Sequence, residues 1–445
     1  MDTPAPHFVD GILEEIFLCL PTPADLARAS IASPRFHRII TERSFLRRFR
    51  KRHPPPLLGF LDKAQSYHSF VTASAFHPAQ APHPSAPLAR ALAEAADFTY
   101  SFVPKPKRGN WRPCDVRDGR VLLEVDRPGW RKPSSLVVCD PLSRRYRLLP
   151  LTPEDLAGDP KDRPVELVPF LAPTGDDEDE MSFKVICFGS YQHSLVAFVF
   201  SSLTGQWCVA ASPSWSSLGT TLTCSSRAIP WAGCRGLSTF DNVRGCFYSM
   251  SPWMDKLLVL DPWKMEFSTV DDRTGYHTHL RSLPGQAEYV LAGNDMPRRS
   301  RPAQSRSLPR IVVGSEGAIE MFSLVGDHDP NGSFDLYHTS LQNNSESSKE
   351  WKLEKIIPLP GRYQYFTIAA AEGFLFLGAT TEDQPDIDDD SPESFSLTEW
   401  DVDYFAMDVR TSQLAKLCRG KKKYFMYEDV CWYFGFPPSL SKPTV

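Results

Sequence analysis

The residues of this 445-residue chain best suited to metal or nucleophilic chemistry are ten cysteines and eleven histidines, and their spacing assembles no site. No two of the cysteines (Cys19, Cys114, Cys139, Cys187, Cys208, Cys224, Cys234, Cys246, Cys418, Cys431) form C-x-x-C, so the signatures of a zinc ribbon and of a dithiol redox centre are absent. Most lie inside apolar stretches and read as buried free thiols in a reducing compartment. The closest histidines, His277 and His279, follow Asp271-Asp272 on a polar stretch and read as solvated loop residues. There is no H-E-x-x-H, G-x-S-x-G, G-x-G-x-x-G or P-loop, and Gly314-Ser315-Glu316-Gly317 reads as a turn. Acidic runs at 176–180 and 386–393 lack the Asp/Gly/Glu spacing of a calcium loop, and a basic run spans 298–310 around Ser300. Such runs read as solvated loops. The expectation is a non-catalytic protein with no cofactor, no metal and no catalytic residue.

Composition fits that expectation. Hydrophobic residues make up 42%, charged residues 23% and aromatics 12%, enough apolar material for a core. A net charge of −5 gives no basic excess for nucleic acid or an anionic membrane, so neither is an expected partner. No stretch approaches the roughly 20 apolar residues of a membrane span. Residues 1–7 do not read as a signal peptide. The expected location is therefore cytoplasm, nucleus or both, with the sequons at Asn331 and Asn343 unused. Forty prolines argue for β-structure with many loops.

Residues 8–53 carry a different pattern. Ile12, Leu13, Ile16, Phe17 and Leu20 share one helical face with Glu14 and Glu15 opposite, and Pro21 ends that helix. Thr22-Pro23 and Ser33-Pro34 each read as an N-cap followed by proline at the first helical position. Leu26 and Ala29, then Phe36, Ile39 and Ile40, give the second and third helices apolar sides. Ser44 reads as the cap of a last stretch, with Phe45, Leu46 and Phe49 inward and Arg47, Arg48, Arg50, Lys51 and Arg52 outward and solvated. So small a helical unit has a marginal core and a surplus apolar face, which suits either a partner or the chain's own larger domain.

The runs Ile12-Leu13-Glu14-Glu15-Ile16-Phe17-Leu18-Cys19-Leu20-Pro21, Asp25-Leu26-Ala27-Arg28-Ala29-Ser30, Ser33-Pro34-Arg35-Phe36-His37-Arg38-Ile39-Ile40 and Ser44-Phe45-Leu46-Arg47-Arg48-Phe49 together resemble an F-box. The style of the first 60 residues is similar to plant, particularly grass, F-box proteins. The chain has Phe8-Val9 where that family usually opens with Leu-Pro. It also has Ser33, Pro34 and Phe36 where the family commonly carries Cys, a basic residue and Trp. The resemblance implies a three-helix F-box whose Ile12, Leu13, Ile16, Leu20, Pro21, Leu26, Phe36 and Ile39 divide between its core and the surface that docks the adaptor of an SCF-type ubiquitin ligase.

Residues 54–97, rich in Ala and Pro, read as a linker with a short helix at 88–96. From 98 to 437 the pattern repeats. Apolar strands end in Asp140-Pro141-Leu142, Ser201-Ser202-Leu203, Asp261-Pro262-Trp263 and Asp408-Val409-Arg410, the first three about 60 residues apart. In each turn an Asp or Ser oxygen is placed to accept backbone N–H groups two residues on. Asp118-Gly119, Arg244-Gly245 and Glu372-Gly373 read as a second kind of turn before a strand. Five β-units result, the fourth carrying Ile311-Val312-Val313 and Ile319 to Phe322, with a long polar insert ending near Trp351. The tail from Tyr424 to Phe436 reads as a strand that closes a ring against a strand near Phe98 to Phe102. The turns are similar to those of kelch-type propellers without the Gly-Gly doublet. The fold class expected is α+β multidomain, with the F-box followed by a mainly-β, β-propeller-like domain; a β-sandwich with extra sheets is the other architecture the pattern allows.

The implied function is a substrate-recognition subunit of an SCF-type ligase, the F-box docking the adaptor protein and the β-domain binding an unknown protein substrate. Two other readings are an F-box-derived interaction module that joins no ligase, and a propeller enzyme with a helical cap.

Overall fold

A computed structural model describes residues 9–21, 23–53, 55–62, 76–107, 109–125, 135–151, 166–173, 182–191, 193–219, 240–243, 246–249, 256–271, 310–313, 319–326, 333–343, 349–361, 363–380, 400–422 and 430–435. The two acidic runs, the basic run up to residue 309, His277, His279, Thr22, the turn at Arg244-Gly245, both sequon centres and Cys224 and Cys234 lie outside the described residues, apart from Asn343.

The head consists of α1 (Asp10–Leu18), α2 (Pro23–Ala32), α3 (Pro34–Ile40) and α4 (Arg43–Arg52). Ser33 caps α3 as its sequence suggests: its Oγ accepts the Arg35 N–H at 3.2 Å, and Pro34, lacking a donor, takes the first helical position. α4 departs from expectation. It starts at Arg43 with Glu42 as N-cap, because Leu46 N–H donates to Glu42 O, which places Ser44 inside the helix. Leu13, Phe17, Leu18, Leu26, Ile39, Ile40, Phe45, Leu46 and Phe49 form a buried cluster that contains no residue of the β-body. Phe17 anchors it, edge-on to Phe36 at 5.0 Å and to Phe45 at 6.4 Å.

The stretch read as a linker contributes structure. It holds β1 (Leu57–Asp62), β2 (Phe76–Pro78) and α5 (Ala86–Ala95), the last close to the expected helix. The run Leu57-Leu58-Gly59-Phe60-Leu61 is buried on both faces, so it shows no strand alternation and reads from sequence as an extension of the apolar head. Gly59 is required there, since its φ is +149° and a Cβ would stand 2.1 Å from His77 O.

Five four-stranded antiparallel meanders follow in chain order. The first is β3 (Trp111–Arg117), β4 (Arg120–Val125), β5 (Leu136–Asp140) and β6 (Arg145–Leu148); the second is β7 (Glu166–Leu171), β8 (Lys184–Ser190), β9 (Leu195–Ser201) and β10 (Gln206–Ala211). The third is β11 (Phe240–Val243), β12 (Cys246–Ser249), β13 (Lys256–Asp261) and β14 (Glu266–Asp271). The fourth is β15 (Arg310–Val313), β16 (Ile319–Gly326), β17 (Phe334–Asn343) and β18 (Lys349–Pro358). The fifth is β19 (Gln364–Ala371), β20 (Phe374–Thr380), β21 (Trp400–Asp408) and β22 (Gln413–Lys422). Among the described residues a single parallel pairing, Asn242 with Ala371, joins the third and fifth sheets through their first strands. The polar insert expected in the fourth unit is in fact β17 with the start of β18. Phe334 and Leu336 alternate with Asp335 and Tyr337, and the polar half of that alternation hides the strand.

The tail does pair with an N-terminal strand, but with β1. The last strand, β23 (Val430–Phe434), aligns Trp432 with Phe60 and Cys431 with Leu61, giving a sheet in the order β2-β1-β23. Residues 98–103 form turns whose Phe98, Tyr100 and Val103 pack into the same core. Buried clusters link each sheet to the next. Leu122, Val138, Val185 and Phe198 join the first to the second, and Ile186, Phe188, Leu258 and Leu260 the second to the third. Leu257 and Met321 join the third to the fourth, and Phe322, Leu336, Leu375 and Phe405 the fourth to the fifth. Phe376, Tyr404, Phe60, Trp432, Val121 and Val137 carry the fifth through the β1–β23 sheet back to the first. The sheets thus follow one another in a closed cycle.

All four Asp- or Ser-opened turns occur between the third and fourth strands of their sheets. Asp140 Oδ1 accepts the Leu142 and Ser143 N–H groups at 2.9 and 3.1 Å, and Asp261 Oδ1 accepts those of Trp263 and Lys264 at the same distances. Asp408 Oδ1 accepts from Arg410 and Thr411, and Ser201 Oγ from Leu203. Each turn closes with a left-handed residue four positions on: Arg144, Gly205, Met265 and Ser412, at φ of 54°, 73°, 54° and 55°.

Candidate protein-docking surface on the helical head

The eight residues implied in adaptor docking separate by burial. Leu13, Leu26 and Ile39 belong to the buried cluster of the head, and Leu20 and Phe36 pack half-buried against it. Ile12 and Ile16 are 49% and 47% exposed, and Pro21 is exposed. The outward set is therefore Ile12, Ile16 and Pro21. Two further apolar residues escape the sequence reading: Val9, 69% exposed, and Ile31, 84% exposed. Their phases carry the signal. Ile12 and Ile16 fall at i and i+4, one stripe along α1, with Val9 as the N-cap just before it, while Ile31 sits five residues after the buried Leu26, off its face.

Ion pairs link α1 to α3 and α4 on its other sides. At its start Asp10 takes Arg35 Nε on Oδ1 at 2.8 Å and Arg38 Nη2 on Oδ2 at 2.8 Å. The hydrogen bond from Arg35, reinforced by the charges of Arg35 and Arg38, holds the Asp10 carboxyl below its usual range. One turn on, Arg48 of α4 pairs with Glu14 at 2.8 Å and also with Glu15. Arg48 is exposed, as the sequence suggested, and also links α4 to α1. His53 Nε2 lies 2.8 Å from Leu18 O, tying the end of α4 to the end of α1. With polar partners consumed along one side of α1 and Leu13, Phe17 and Leu18 buried, Val9, Ile12 and Ile16 are left as apolar surface facing water.

The β-body shows how its own polar groups are used. Leu171 N–H donates to Asp115 Oδ2, Arg120 Nη1 to Ser182 O, and Trp207 Nε1 to Pro150 O, all between the first and second sheets. Arg117 reaches three sheets: its Nε donates to Leu171 O, its guanidinium stands 5.8 Å from the Phe247 ring centroid, and Nη1 lies 3.9 Å from Glu372. His77 pairs with Asp62 at 2.6 Å and stacks on Phe60, and His338 lies 2.9 Å from Glu320 with its ring stacked on Phe322. Burial pushes the Cys187 and Cys418 thiols up to about 12, so both remain protonated and pack as small hydrophobes. Among the described residues no three His, Cys, Asp or Glu side chains converge as metal ligands, and no helix is long and apolar enough to cross a membrane.

No family model and no curated protein sequence matches this chain. Solved structures do resemble it. An uncharacterized protein, lmo1340 from Listeria monocytogenes EGD-e, is 10% identical with a TM-score of 0.30, over 71% of this chain and 68% of that one. A prolyl endopeptidase is 11% identical with a TM-score of 0.25, over 81% of this chain and 60% of that one. The β-propeller domain of Nup133 from Vanderwaltozyma polyspora is 9% identical with a TM-score of 0.27, over 74% of this chain and 94% of that one. At such scores these likenesses assign neither family nor activity.

Proposed function

We propose that this chain is the substrate-recognition subunit of an SCF-type ubiquitin ligase of the plant kind, with residues 8–53 as an F-box and the β-body as a six-bladed propeller that binds the target protein. The observation that carries the proposal is the apolar surface of Val9, Ile12 and Ile16, exposed on a head that has already completed a core of its own. Burying such half-exposed aliphatic side chains on a partner contributes about 1 kcal/mol each. The cyclic order of the six sheets, closed by β1 and β23, supports the propeller assignment.

In this reading the chain does no bond chemistry. It raises the effective concentration of a target lysine near a ubiquitin-charged enzyme supplied by the ligase. Cytoplasm and nucleus are the proposed locations, with no nucleic acid or membrane as partner. The test is titration of the full-length chain with purified plant ligase adaptor, beside an Ile12→Asp/Ile16→Asp variant. Stoichiometric binding by the first and its loss in the second support the proposal. Absence of binding by the folded wild-type chain refutes it and favours the F-box-derived module that joins no ligase, the reading suggested by Phe8-Val9 and Pro34, which stand where F-boxes usually carry other residues.

A further inference from the structure

The outermost strand of the first sheet, β6, is exposed along its whole length, and no described strand pairs with its outer edge. Its hydrogen-bond phase follows from the residue just past it. Leu149 N–H donates to Leu136 O at 2.9 Å, so those two residues make a hydrogen-bonded pair. Antiparallel pairs alternate, and the register matches Leu148 with Val137, Arg147 with Val138 and Tyr146 with Cys139. Arg147 thus spends its backbone groups on β5, while Tyr146 and Leu148 each aim an N–H and a C=O at the open edge.

The same two residues carry large apolar side chains that the fold leaves in water, 43% and 50% exposed. Two positions apart on one strand, they stand on one face of the sheet, that of Val137 and Cys139. Arg147, between them, takes the other face, where its Nη1 donates to Ser202 O at 2.6 Å and its guanidinium lies 5.6 Å from the Phe200 ring centroid. Just beyond the strand, Trp207 Nε1 donates to Pro150 O at 2.8 Å. These contacts fix β6 on the second sheet and leave its outer edge and one face open. In the other three sheets with this turn, at least one side chain at the equivalent positions is committed. Trp207 of β10 is buried, and Thr269 of β14 donates to Leu218 O at 3.1 Å. In β22, Leu414 packs against the core between the fourth and fifth sheets and Lys416 pairs with Asp403 at 2.8 Å.

A row of backbone donors and acceptors along a strand edge is matched by another extended chain. A second copy of β6 is disfavoured there. The antiparallel register that sets Tyr146 opposite Leu148 in both directions also sets Arg147 opposite itself, and like charges directly opposite destabilise a strand pair. We infer that β6 adds an extended segment of the target protein as a fifth strand of the first sheet. Main-chain hydrogen bonds to Tyr146 and Leu148 hold the segment, and its apolar residues at alternate positions cover those two side chains. This inference rests on the receptor reading above and names its substrate class, an extended segment with apolar residues two apart.

The test uses the full-length chain and fluorescent peptides of about eight residues that alternate Val with Thr between Lys ends. The parent peptide is expected to bind. Methylating its Val amide nitrogens removes the donors that meet β6 and is expected to weaken binding at least about tenfold. Methylating the Thr nitrogens, which face away, is expected to change it by less than about twofold. Leu148→Pro removes an N–H that β5 does not use, so it is expected to lose about tenfold in affinity with its melting temperature and adaptor binding unchanged. Tyr146→Ser/Leu148→Ser, at exposed positions, is expected to lose as much and serves as the deciding variant if proline unfolds the sheet. No binding of the parent peptide, equal weakening by the two methylations, or undiminished binding by the serine variant overturns the inference. So does a concentration-dependent dimer abolished by either variant, which would put a second copy on the edge. Adaptor titration of the same samples separates the two claims, because failure of the receptor reading abolishes adaptor binding and leaves peptide addition to β6 intact.

Discussion

Replacing Leu26 by Ala should unfold the helical head and leave the β-body folded. Leu26 is 1% exposed, at the centre of a nine-residue cluster built from all four head helices. Removing its isobutyl group from such a site costs about 2–5 kcal/mol in lost transfer energy and cavity formation. A core this small rarely supplies more than about 3–5 kcal/mol in total. The substitution therefore consumes most of the head's stability, whereas no residue of the β-body loses a core contact. Hydrogen exchange followed by mass spectrometry should show α1–α4 losing protection while peptides from β3–β22 keep theirs. Ile16→Asp, on the same head but 47% exposed, should change protection by no more than about 0.5 kcal/mol. If Leu26→Ala and Ile16→Asp behaved alike, or if head and body lost protection together, the separation of the two cores would be refuted.

Acid should loosen the head through Asp10. Its carboxyl is held below its ordinary value near 3.8, so the Arg35 and Arg38 clamp is intact above that value and is lost as pH falls through the lowered one; an Asp10→Asn variant should remove that part of the acid dependence in a pH-resolved melt. Asp140→Ala deletes an acceptor of two N–H groups and the Ser143 hydroxyl and should cost about 1–2 kcal/mol in urea unfolding of the β-body; Asp140→Asn should restore most of it. Gly205→Ala, at φ 73°, should cost about 1 kcal/mol, and Arg144→Gly at the equivalent position should cost nothing measurable by the same method. Gly59→Ala drives a methyl group into His77 O and should destabilise ring closure by about 3 kcal/mol, read as early loss of exchange protection in β1 and β23.

Local chemistry made the turns legible and hid two of the strands. Asp140, Asp261 and Asp408 announce themselves because an Asx turn is complete within four residues, and the structure places every one between third and fourth strands. β1 is not legible, because a strand buried on both faces directly after an amphipathic helix offers no change of period to mark it. β17 is missed for the opposite reason, since its partners bury only part of an alternating polar sequence. In the head, the apolar side of α1 was visible, but Ile12 and Leu13 are neighbours of nearly equal hydrophobicity. The packing of Leu13 with Phe17 and Leu18 in the head's cluster sets which of the two turns inward, and the pairs of Asp10 with α3 and of Arg48 with Glu14 accompany that phase. Arg48 is exposed as read, but its pairing is not legible because its partners lie more than 30 residues away in sequence.

The most direct test of the account is calorimetric titration of the full-length chain with purified plant ligase adaptor. The account predicts one-to-one binding that falls by about a hundredfold in Ile12→Asp/Ile16→Asp, with the head still protected from exchange. A wild-type chain that binds no adaptor while its head is folded, or a variant that binds as well as wild type, would contradict it.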